Sequence, residues 1–132
     1  MTVTLLSILS EVLKTEGEAL DGAKKDLKTL RNNRAGIKAS RKLIAAELRV
    51  LKNKRLVADR NGGGAKSAAI SAEINFFRQV LNDMTEEGMM VRIQCTQCAA
   101  YIKQQTVKVQ AVDAEVEKAK AAEPVSETTE QA

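Results

Sequence analysis

The chain has 132 residues, and 21 Lys and Arg against 17 Asp and Glu give it a formal net charge of +4. Aromatic residues are 2% of it, with no Trp and no His. That excludes a thick globular core, and it excludes catalysis or zinc binding that depends on imidazole.

Met1 to Leu13 is apolar, but too short and too polar for a membrane span, and it lacks the basic n-region of a signal peptide. The expected location is therefore cytoplasmic, or inside a virion or other assembly, and not secreted. Thr2 or Thr4 can cap a first helix, and Glu11, Glu16 and Glu18 suit its early turns. Gly17 and Gly22 weaken that end by up to about 1 kcal/mol each relative to Ala.

From Leu6 the side chains recur in alternating steps of three and four: Leu6, Leu9, Leu13, Glu16, Leu20, Ala23, Leu27, Leu30, Arg34, Ile37, Arg41, Ile44, Leu48, Leu51, Arg55, Ala58. This is a heptad array, with Leu27, Arg34, Arg41 and Leu48 at a and Leu30, Ile37, Ile44 and Leu51 at d. Asp21 to Arg60 carries 13 Lys and Arg against four acids. The segment is +9, and the rest of the chain is −5.

Asn61-Gly62-Gly63-Gly64 then breaks the helix, because glycine loses most entropy on ordering and accepts positive φ. A second array follows: Ile70, Ile74, Phe77, Leu81, Met84, Gly88, Val91, Cys95, Cys98, Ile102, Gln105, Val109, Val112, Val116, Ala119. Folding about the glycines sets Leu51 opposite Ile74, Leu48 opposite Phe77, Ile44 opposite Leu81, Ile37 opposite Gly88 and Leu27 opposite Cys98. Every such pair joins an a position to a d position. The expected fold is all-α: a long two-helix antiparallel coiled-coil hairpin turning at Asn61–Gly64. Residues 1–122 form the hairpin, with helix 1 at about 4–60 and helix 2 at about 65–121. Its supercoil is left-handed, and at 1.5 Å per residue the rod is roughly 75–80 Å long. After Ala119 the rhythm stops, and 123–132, with Pro124, Glu123, Glu127 and Glu130, reads as a disordered acidic tail. Gly36 and Gly88 weaken both helices at one level, as a packing irregularity or a hinge.

Cys95-Thr-Gln-Cys98 is a C-x-x-C, yet both sulfurs fall mid-helix on the heptad seam, away from the helix N-terminus that lowers a thiol pKa. Four zinc ligands are not available. Core packing is the expected role, with an intersubunit metal or disulfide as the alternative. No cofactor, metal site, small-molecule substrate or catalytic residue is expected, and the protein is not expected to be an enzyme.

The charge pattern carries the functional expectation. The first helix places Lys24, Arg31, Lys38 and Lys52 at e, Lys28, Lys42 and Arg49 at b, and Arg34, Arg41 and Arg55 at a. The opposing e positions include Arg78 and Arg92, so cation faces cation or a neutral residue. A solvated face mixes signs, whereas this one stores positive charge for an anionic partner. These twelve residues form a candidate partner-binding edge. On the other flank Leu43, Ala46, Val50 and Val57, with Ala69, Phe76 and Val80, form a candidate oligomer interface near the turn, most simply a four-helix bundle. The expected function is a coiled-coil assembly or adaptor protein that self-associates near its turn and docks an acidic protein surface. The alternative is a nucleic-acid-binding accessory protein that reads backbone and not bases. The architecture is similar to the hairpin arm of seryl-tRNA synthetases and to the small rod-like adaptors of type III secretion and flagellar export, a similarity of shape alone.

Overall fold

The computed structural model describes residues 4–131, with side chains from 4 to 122. It is all-α: helix α1 spans Leu5–Arg60 and helix α2 spans Gly64–Gln131, packed against each other, with no strand among the described residues. Thr4 is the N-cap, its Oγ1 accepting from the Ser7 amide at 3.1 Å. This satisfies one of the four amides that a helix start leaves without partners. Thr2 lies outside the described residues.

The turn forms where the glycines are. Gly62 has φ +71°, the left-handed conformation that a side chain disfavours. The Gly63 amide donates to the Ala58 carbonyl at 3.0 Å and the Gly62 amide to the Asp59 carbonyl at 3.2 Å. These are the two bonds of a Schellman cap, which returns the last carbonyls of α1 to partners. Ser67 N then donates to the Gly63 carbonyl at 2.8 Å, opening α2. The Ser67 hydroxyl donates to the Asp59 carboxylate, tying the two helices across the turn.

The heptad reading holds residue by residue. Of the 31 positions in the two arrays, all but Arg34 and Arg41 are buried or half-buried. By packing, the chain divides into Thr29–Cys95 and a unit made of Met1–Lys28 with Thr96–Ala132. Within Thr29–Cys95, Leu48, Leu51, Ala58, Ile70 and Ile74 form one buried cluster, flanked by Ile44, Phe77 and Leu81. Among them are both members of three pairs that the register sets, Leu51 with Ile74, Leu48 with Phe77 and Ile44 with Leu81, and Ile74 is fully buried at 0% exposure. A side chain of this kind stabilises by about 1.5–3 kcal/mol when fully removed from water.

In the other unit Leu20, Ala23, Leu27 and Val116 are buried. Here the seam contains a polar layer. Gln105, 4% exposed, donates from Nε2 to the Glu16 carbonyl at 3.0 Å and also to the Glu16 carboxylate. Lys108 Nζ approaches the same carboxylate at 4.0 Å. A satisfied polar layer of this kind favours one register over slipped alternatives.

α2 runs on helically beyond 121, through Pro124 to Gln131. The backbone of 123–131, expected as a disordered tail, thus continues the helix, and the side chains from 123 onward lie outside the described residues. Among the described residues, no helix is long and apolar enough to cross a membrane.

Candidate functional site: a basic edge and a cationic recess

The heptad positions a, b and e of α1 and e of α2 share one flank. In Thr29–Cys95 that flank carries Arg31, Arg34, Lys38, Arg41, Lys42, Arg49, Lys52, Arg55, Arg78 and Arg92, and no acid between residues 31 and 55 occupies those positions. All ten are exposed except Arg55, which is half-buried. The acids of this unit sit elsewhere: Glu47, Glu73 and Glu87 at g, Asp83 at c, Glu86 at f, and Asp59 at the turn, where Ser67 bonds it. Among the described residues, Arg92 has an interaction of its own, and none of the other nine makes an ion pair within 4 Å. Lys24 and Lys28, exposed, belong to the other unit, where the ion pairs of Glu16, Glu115 and Glu117 are found.

Four of these cations converge. Arg34, Lys38 and Arg41 from α1 and Arg92 from α2 line a recess of about 280 Å³, completed by Ile37, Thr85, Gly88 and Met89. Spacings of four, three and seven residues stack the three α1 side chains on one face. Gly88 occupies a core position without a side chain, so the seam stays open beside it. A Cβ built on Gly88 would lie 3.5 Å from Ile37 Cγ2, an ordinary contact. On the opposite flank of the same level a second recess, of about 540 Å³, is lined by Asn32, Asn33, Gly36, Ile37, Ser40, Met84, Glu87 and Val91. Ile37 is thus the large apolar side chain common to both.

No family model, no curated protein and no solved structure matches this chain.

Of the apolar flank, Leu43 is 73% exposed and Phe76 64%, with Val50 and Val57 about half exposed; Ala46 and Ala69 are exposed and Val80 is half-buried. Val50 and Val57 come together with Ala58 and Ile70 in a groove of about 620 Å³ beside the turn, whose polar wall is Asn53, Lys54, Asn61 and Lys66. The remaining five candidates do not line it. Phe76 packs edge-on against Phe77, ring centroids 5.6 Å apart.

Sequence reasoning did not single out Thr85 and Met89, which complete the cationic recess, nor Asn53, Lys54 and Lys66 at the groove. Met89 carries a usable signal: it follows a glycine at a core position, so its side chain becomes wall where none is expected. Cys95 is buried and Cys98 half-buried, both free; Cys98 Sγ donates to the Ala23 carbonyl at 3.4 Å.

Proposed function

We propose that the protein is a non-enzymatic coiled-coil adaptor that docks an acidic protein surface along its basic edge and self-associates through the apolar flank near its turn. The observation that carries the docking reading is the one-signed edge of Thr29–Cys95, ten cations with no acid interleaved. Like charges held this close repel, and a partner of opposite sign relieves that repulsion while being steered in. Self-association rests on four large apolar side chains, Leu43, Val50, Val57 and Phe76, left in water on the other flank.

The experiment titrates polyglutamate, as an acidic polypeptide, into the wild type and into Arg31→Glu/Arg49→Glu/Lys52→Glu at about 50 mM salt. Wild type binds and the variant loses binding while keeping its helix content. Equal binding by both overturns the docking reading. Val50→Glu/Phe76→Glu is expected to lower the oligomeric state in sedimentation; a wild type that is already monomeric at high micromolar concentration overturns self-association.

The second reading, backbone-directed binding of duplex nucleic acid, is favoured by the seven-residue recurrence of Arg31 and Lys38, Arg34 and Arg41, Lys42 and Arg49. Each step is about 10 Å along a helix axis. With duplex as the probe, log affinity falls linearly with log salt, by about 0.9 per phosphate contact, and the variant shows a flatter slope. No measurable duplex binding at about 50 mM salt rejects this reading.

A further inference from the structure

The basic edge is not uniform. Among the 31 seam positions, only Arg34 and Arg41 are exposed, and both border the recess that Gly88 opens. Three seam positions around Ile37 therefore forgo apolar packing at one level, two by carrying arginine and one by carrying no side chain. Helix packing does not demand the glycine: its φ is not in the left-handed region, and an added Cβ would make an ordinary contact. A glycine inside a helix costs about 1 kcal/mol relative to Ala. Beside the glycine lies room, about 280 Å³ walled by four cations.

From this convergence we infer that the recess is a binding site for a compact phosphoryl anion bearing two phosphoryl groups. The inference rests on the reading that the edge docks anions, and it names the ligand chemistry of one place on it. Charge selects the class: four cations and no acid line the recess, whereas one carboxylate brings a single charge. Two phosphoryl groups bring about −3 to −4, with three acceptor oxygens on each terminal group. Three of the four cations are arginines, whose planar donor forks match phosphoryl oxygens two at a time. Lys38 adds a mobile point charge, and the Thr85 hydroxyl adds a neutral donor at the wall. Ile37 and Met89 supply apolar walls, and no aromatic ring lines the recess. Recognition is thus of the phosphoryl group and not of an attached base. A free polyphosphate offers this chemistry in full; adjacent phosphates of a nucleic-acid strand are diesters with a single charge each, and offer it in a weaker form.

Calorimetric titration of the full chain with inorganic pyrophosphate at about 50 mM salt tests this. Wild type is expected to bind one pyrophosphate per chain. Gly88→Leu fills the recess while leaving all four cations, and is expected to weaken binding at least tenfold. Because leucine at this position also changes the packing, Arg34→Gln/Arg41→Gln provides a second variant with the same expected loss. Lys42→Gln/Arg49→Gln removes an equal charge from the same edge outside the recess, and is expected to stay within threefold of wild type. Absence of wild-type binding, wild-type affinity in both Gly88→Leu and Arg34→Gln/Arg41→Gln, or equal weakening by the two charge-matched pairs overturns the site. A duplex that displaces pyrophosphate assigns the recess to nucleic-acid phosphates; a duplex that binds without displacing it assigns the recess to a free polyphosphate. Either result supports the phosphoryl site. The docking reading fails separately, on polyglutamate binding by Arg31→Glu/Arg49→Glu/Lys52→Glu, none of which lines the recess.

Discussion

Replacing Gly88 by alanine should stabilise the protein, and the size of the gain follows from its surroundings. The residue lies inside α2, half-buried, with no left-handed φ to forbid a side chain. Alanine gains about 1 kcal/mol of helix propensity over glycine. Its methyl group would meet Ile37 Cγ2 at 3.5 Å, a distance of contact and not of clash. Burying part of a methyl adds a fraction of about 0.8 kcal/mol, so the total is about 1–1.5 kcal/mol. At about 2.1 cal/mol/K of unfolding entropy per residue, a chain of this length converts that gain into a Tm increase of roughly 4–5 °C. Gly36 is the internal control: it is exposed, and a Cβ there meets nothing within 4 Å. Gly36→Ala should therefore gain the propensity part alone, about 1 kcal/mol. Thermal melts followed by circular dichroism measure both, and the difference between them isolates the contact with Ile37. A neutral or destabilising Gly88→Ala, or a larger gain at Gly36 than at Gly88, would refute this account of the open seam.

Ile74→Ala, at the centre of the turn-proximal cluster, should cost about 2–5 kcal/mol in denaturant unfolding, and a cost below about 1 kcal/mol would mean the cluster is not the core of its unit. Gln105→Ala strands the Glu16 carboxylate with Lys108 at 4.0 Å as its remaining partner and should cost about 1–3 kcal/mol; an unchanged midpoint would make the polar layer dispensable. Gly62→Ala forces a side chain into the left-handed region at φ +71° and should destabilise by about 1–2 kcal/mol, read from the same midpoints. Cysteines replacing Leu51 and Ile74 together should form an intramolecular disulfide on oxidation, visible as a mobility shift without reductant, whereas Leu51 paired with exposed Phe76 should not; the reverse pattern would shift the register.

The sequence by itself determined the helices, the turn and the register, because each of these is written in local chemistry. A 3-4 spacing assigns a side chain to the seam whatever lies opposite, and three successive glycines end a helix wherever they fall. The two arrays then permit one a-to-d alignment about the turn, and Leu48, Leu51, Ile70 and Ile74 pack together as that alignment requires. Other features depend on what both helices bring to the same level. Glu16 and Gln105 each read as polar interruptions of an apolar stripe, and they become a satisfied layer only because they meet. Arg34 and Arg41 occupy core positions by spacing, yet stay in water, since a guanidinium is too costly to bury without an ionic partner and Gly88 leaves the seam open beside them. Heptad spacing names the residues that face the partner helix. Whether the seam closes there is decided by the side-chain volumes and charges meeting from both sides, and at Ile37 that meeting leaves a cationic recess where the pattern alone implied a core.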